Sequence, residues 1–252
     1  MESSSMLTKV LAAAVVLGLA STGAQAADWD VSGYIQGNLG QAKASKPSFV
    51  KKVENDHRGV AAELNTIPSV NAGARTSSDK TDTAYKLIVG LQLNPYVAIE
   101  AQYMDLGKST YKAGHNVNFD GGSWSMQEKL DLSTAGYGAN LVGTLPIDKF
   151  TLFAKAGLHN LKTKAKHRRD IVVITGFGTF PDSEKSSKSV TKWTQSFGIG
   201  ASYEFIDNLA VVVEAERYRN VANQKVRFYA GEDKDKIKHN VDLFSAGIRY
   251  KF

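Results

Sequence analysis

Two sets of residues in this sequence are of types and spacings that could do chemistry. In the first, charges interrupt apolar segments: Lys86, Glu100, Lys155, Glu214, Glu216, Arg249 and Lys251. Paired carboxylates such as Glu100 and Glu214 could act as general acid and base. With Lys155 and Arg249 as partners they could equally form an ion network, since charges taken out of water must pair. The second set is the run "KTKAKHRRD", which gathers Lys162, Lys164, Lys166, Arg168 and Arg169. It could clamp phosphates or another polyanion, or be a solvated, mobile loop.

Other chemistries find little support. The five histidines, His57, His115, His159, His167 and His239, stand in no His-x-Ser arrangement. His159 alone follows a strand-like segment closely, and it reads as a solvated rim residue. There is no metal-ligand spacing, P-loop or nucleophile elbow; "GIGAS" at Gly198 is strand glycine. No catalytic residue, metal or cofactor is expected.

The elements that must position these residues begin after a targeting segment. In "MLTKVLAAAVVLGLASTGAQAADW" one basic residue, Lys9, precedes an apolar run from Val10 to Ala20 and then Ala24-Gln25-Ala26. Those are the three regions of a secretory signal peptide. Residues 1–26 are therefore expected to be removed, leaving 27–252 as one domain; translation could begin at Met6. With no cysteine, a secreted chain has no disulfide framework. The formal net charge of +6 is spread along the chain and no nucleic-acid module accompanies it. Mean hydropathy is negative, which fits both a soluble protein and a membrane β-barrel, whose strands barely register in hydropathy.

The pattern decides between these. "TAYKLIVGLQL" puts Tyr85, Leu87, Val89, Leu91 and Leu93 on one face, and "YVAIEAQYMDLG" follows directly after Asn94-Pro95. Such period-two alternation across a short turn marks a hairpin. The unit recurs around Pro146-Ile147-Asp148-Lys149 and around Ile206-Asp207-Asn208, and single strands start near Trp29 and end at "SAGIRYKF". Eight strands result, joined alternately by short turns and by long polar stretches, 41–82, 108–129, 162–188 and 219–239, which read as loops. Even strand number, short turns at one end and long loops at the other describe a transmembrane barrel. Aromatic residues support it. Trp29, Phe150, Tyr203, Tyr250 and Phe252 gather at the turn end, and Tyr85, Tyr103 and Trp193 at the other, as interfacial girdles do. An eight-stranded lumen is just wide enough for side chains, so the inward charges Glu100, Lys155, Glu214, Glu216 and Arg249 are expected to form a lumen network.

"SAGIRYKF" together with "VAIEAQYMDLG", "YGANLVGTLPIDKFTLFAKAGL" and "LAVVVEAERYR" resembles the outer membrane protein A (OmpA)-like transmembrane domain, a family of small eight-stranded outer-membrane β-barrels, over essentially the whole mature chain. The resemblance implies an all-β, antiparallel, up-and-down barrel in the bacterial outer membrane. It also implies that Ser245, Gly247, Tyr250 and Phe252 form a terminal signal read by the barrel-assembly machinery. Better-known members carry basic residues at inward positions matching Val142 and Val212, and continue into a peptidoglycan-binding domain; neither feature is seen here. The expected role is that of a monomeric, non-enzymatic barrel in envelope structure and surface contact. Its expected partners are outer-membrane lipid and lipopolysaccharide, the latter contacted by Lys162, Lys164, Lys166, Arg168 and Arg169, and a host surface. Two other readings stay open: a small diffusion pore, and a lipid A-modifying enzyme, which would use a His, a Ser and a carboxylate at the outer rim.

Overall fold

The computed structural model describes residues 31–228 and 235–252. The expected signal peptide and Trp29 lie outside the described residues. Described are strands β1 (Ser32–Ala44), β2 (Asn71–Asp79), β3 (Thr81–Asn94), β4 (Val97–Phe119), β5 (Gly122–Ile147), β6 (Phe150–Thr175), β7 (Gly178–Ile206), β8 (Leu209–Val221), β9 (Lys225–Val226), β10 (Asp235–Lys236) and β11 (His239–Lys251). One helix, α1 (Ser48–Leu64), joins them.

Eight of these strands close a ring in the order β1-β3-β4-β5-β6-β7-β8-β11, every neighbour antiparallel. Closure removes the open edges that hydrocarbon cannot solvate. At the seam, Gly33 N–H donates to the Phe252 carbonyl (3.0 Å) and Phe252 N–H to the Gly33 carbonyl (2.9 Å). Alternation sets the faces. On β6, Leu152, Ala154, Ala156 and Leu158 are exposed to the outside, while Phe153, Lys155 and His159 are buried within. Tyr203 stacks near Phe150 and Tyr250 near Phe252 at one rim, and Tyr85 near Tyr103 at the other. The three inner-end turns are two residues long: Pro95-Tyr96, Asp148-Lys149 and Asp207-Asn208. Asp148 and Asn208 take positive φ (53° and 67°), which short polar side chains tolerate.

The outer end departs from expectation. The stretches 108–129 and 162–188 are not loops. They are continuations of β4–β5 and β6–β7, which run on to tight turns at Asp120-Gly121 and Gly176-Phe177. The strands reach 26 residues in β5 and β6 and 29 in β7. About 9–11 tilted residues suffice to cross the bilayer core, so these strands project well beyond it. β1, β8 and β11, at 13 residues each, do not, and the projection is a one-sided wall. β2 extends that wall, pairing with the outer part of β4 where β3 no longer reaches. At this transition Gly107 adopts φ +70°; a Cβ there would sit 2.7 Å from the Thr83 carbonyl oxygen, so glycine serves the bulge between Asp105 and Lys108.

The segment 41–82 likewise holds ordered structure. α1 packs on the inner face of the wall, against β2 and β4. Its buried residues, Val50, Glu54, His57 and Ala61, recur at helical spacing. The 219–239 stretch carries the small β9–β10 hairpin.

Candidate functional site

Inside the ring the structure brings Glu100, Lys155, Glu214, Glu216 and Arg249 together, with Lys86 as the sixth charge. Lys155 Nζ lies 2.8 Å from Glu214, 3.6 Å from Glu100 and 3.8 Å from Glu216. Lys86 Nζ pairs with Glu214 and, at 2.9 Å, with Glu216. Arg249 Nε donates to Gln36 (2.7 Å), and its guanidinium lies 3.9 Å from Glu100 and over the Tyr34 ring. Tyr34 OH donates to Glu100 (2.9 Å), Gln36 Nε2 to Glu214 (2.6 Å) and Ser196 OH to Glu216 (3.2 Å). Three carboxylates thus face three cations, all six buried. Each carboxylate oxygen of Glu100, Glu214 and Glu216 has a hydrogen-bond or ion-pair partner, so the cluster ties together strands of the ring. Lys251 stands apart, partly exposed at the rim and paired with Glu204 (2.7 Å).

The network fills only the inner part of the lumen. Val142 and Val212 are buried with Tyr34, Ile88, Ala98 and Phe153 in an apolar cluster beside it. Towards the outside the lumen is apolar too, packed by residues such as Met104, Leu132, Leu161 and Leu243. Val50 of α1, Val226 of β9, and Phe228 and Ile237 beside the β9–β10 hairpin close it over. The protein in a planar bilayer is therefore expected to show no steady conductance. A stable open current would contradict this packing.

His159 corrects the rim reading. It is fully buried, its Nε2 lying 2.8 Å from Gln102 Nε2 and its ring edge-on to Tyr218. His159 shares the inward phase of Phe153 and Lys155 on β6, which places it in the lumen rather than at the rim.

A second polar cluster lies above the membrane-spanning part, in a cleft of about 350 Å³ between α1 and the wall. His57 Nδ1 and His115 Nδ1 are 2.6 Å apart. His57 Nε2 is 4.0 Å from Glu128 and His167 Nε2 is 3.5 Å from it. Arg169 Nε donates to Glu128 (2.9 Å). Burial would raise the Glu128 carboxyl, but hydrogen bonds and charge from His167 and Arg169 outweigh it and hold the group at about 2. Burial lowers both His57 and His115, the charge of Glu128 opposing it in each. Sequence reading missed this cluster. Its histidines come from three distant segments, and only the inward phase of His115 and His167 on their strands hinted at it. Among the described residues no group of three or more His, Cys, Asp or Glu side chains is spaced to hold a metal ion.

The basic run is strand, not loop. Lys162, Lys164, Lys166 and Arg168 occupy one exposed face of β6, alternating with buried Thr163, Ala165 and His167. Arg169 is phased to the other face, where it meets Glu128 and, at 3.7 Å, Glu184. Arg168 also pairs with Asp170 (2.7 Å). The terminal set divides the same way: Tyr250 and Phe252 are exposed on the outer face, while Ser245 is buried and receives a hydrogen bond from Asn38.

A family profile described as outer membrane protein beta-barrel domain matches residues 12–252. Solved structures similar to this chain include Neisserial surface protein A (15% identity, 88% of this chain and 99% of that one, TM-score 0.40). Ail, the attachment invasion locus protein of Yersinia pestis, is similar at 13% identity (87% and 99%, TM-score 0.36). OprG of Pseudomonas aeruginosa is similar at 11% (88% and 96%, TM-score 0.42). No curated protein sequence matches the chain.

Proposed function

From the premise that this chain belongs to the outer membrane protein beta-barrel domain family, and so resides in the bacterial outer membrane, we propose that it is a closed, non-catalytic barrel serving envelope structure and surface contact. Its basic strand face meets the phosphates of lipopolysaccharide. One observation carries this reading. Lys162, Lys164, Lys166 and Arg168 lie on the same face of β6 as the lipid-facing Leu152, Ala154, Ala156 and Leu158. The row therefore leaves the apolar band directly into the headgroup layer, with about 3.4 Å of rise per residue. A cation near an anionic membrane surface is worth about 1 kcal/mol, so four in one row make a substantial anchor. Arg169, turned into the cleft, takes no part.

The test compares thermal unfolding in bilayers with and without lipopolysaccharide. The wild type should be stabilised by lipopolysaccharide, and more so at low salt, because salt screens exposed charges. Replacing Lys162, Lys164, Lys166 and Arg168 together by Gln should remove most of that gain and leave stability in zwitterionic lipid unchanged. An equal gain in the variant would reduce the row to a solvated face.

The terminal strand is proposed as the contact with the barrel-assembly machinery, through Tyr250 and Phe252 on its exposed face.

A further inference from the structure

The buried stripe of α1 is not apolar throughout, since Glu54 and His57 lie between Val50 and Ala61. Glu54 has a cation beside it, Lys46 at 2.6 Å. His57 instead meets a second imidazole, that of His115 on β4, nitrogen to nitrogen at 2.6 Å. A hydrogen bond between two ring nitrogens exists only while one of them carries no proton. Two imidazolium ions at this separation have no acceptor between them and repel.

We propose that the His57–His115 contact is an acid-released latch: protonation of both imidazoles frees α1 from the barrel mouth and opens the cleft beneath it. The charged surroundings are consistent with this. α1 itself brings Lys52 and Asp56 to the cleft, β5 brings Glu128, β6 brings His167 and Arg169, and β10 brings Asp235. β4 adds the buried Tyr111 further down the helix, and the buried or half-buried positions of β2 (Ala72, Ala74, Thr76 and Ser78) carry no titratable group. Glu128 and Asp56 are the anions that favour a protonated His57, burial outweighing both, and Arg169 and His167 also lie against Glu128.

The sign follows from burial. In the docked helix both imidazoles are held below their ordinary value near 6.5. In a released helix they return towards it, so protons favour release. The latch is closed above about pH 6.5 and weakens as pH falls below it. Glu128, at about 2, stays ionised across this range and is not the trigger.

Amide hydrogen exchange on the whole protein in lipid vesicles tests the latch, with rates corrected for intrinsic pH dependence. Between about pH 7.5 and 5.0, protection of residues 48–64 should fall about tenfold, the scale of one lost buried hydrogen bond. Protection of the ring strands should not change. With His57→Gln and His115→Gln combined, the acid response of α1 should vanish. Unchanged wild-type protection, a loss shared by the ring, or a response surviving in the Gln pair would each overturn the proposal. Should the Gln pair leave α1 unprotected already at neutral pH, imidazole titration in the wild type decides. His57 and His115 must titrate over the range in which α1 opens, and a mismatch of more than about one pH unit overturns the latch.

Discussion

Glu214→Ala should lower the unfolding free energy of the barrel by about 3–5 kcal/mol, the cost of leaving a buried charge without its partner. Glu214 is 5% exposed and holds both lysines of the network as well as Gln36. Removing its carboxylate leaves Lys86, Lys155 and Arg249 facing only Glu100 and Glu216. Gln36 loses an acceptor while remaining buried, which adds to the penalty. Glu214→Gln should cost less, because the amide still offers an oxygen to one lysine. Combining Glu214→Met with Lys155→Met should recover much of the loss, since charge balance is restored and apolar volume replaces a buried pair. Urea unfolding in lipid vesicles, followed by tryptophan fluorescence, measures all three. A cost below about 1 kcal/mol for the alanine variant would be that of a surface ion pair, and would mean that water screens the lumen charges.

Phe252→Ser should sharply reduce the amount of protein in the outer membrane while leaving export and spontaneous folding nearly intact. The substitution keeps both backbone hydrogen bonds that join Phe252 to Gly33, so the ring still closes. The lost ring is 56% exposed and covers Gly33, where a Cβ would stand 2.5 Å from Phe252 Cε2. Full burial of such a side chain is worth only about 1.5–3 kcal/mol, so this half-covered one contributes less. Refolding into pure lipid vesicles should therefore stay within about fivefold of the wild type, the change expected from about 1 kcal/mol. A large loss in cells beside normal refolding in vesicles would locate the effect in recognition by the assembly machinery. Equal losses in both would assign it to barrel stability alone, and normal levels in cells would defeat the assembly role.

Much of the ring was legible in the sequence because a strand's side chains alternate with period two whatever its neighbours are. That rule places Glu100, Lys155, Glu214 and Arg249 inside and Leu87, Leu141 and Ile248 outside without knowledge of register. It also separates lipid-facing from lumen-facing positions, since only one face of each spanning strand needs to be apolar. The rule fails where both faces are polar. The outer parts of β4 to β7 meet water on one side, and on the other only scattered apolar residues such as Ala113, Val117 and Leu130 are buried among polar ones, so no continuous apolar alternation marks them and they read as loops. α1 escaped for a related reason: Glu54 and His57 interrupt the buried stripe that Val50 and Ala61 begin and end, so its apolar period is broken in the middle. Arg168 and Arg169 look alike in the run "KHRRD", yet strand geometry sends one outward and the other to Glu128. The meeting of His57, His115 and His167 around that carboxylate depends on strand register and on where α1 docks. Both are set by contacts between segments that are distant in the chain, His57 and His115 being 58 residues apart, and no local spacing encodes them. The sequence determined which way each spanning side chain faces; the tertiary structure decided which of them meet.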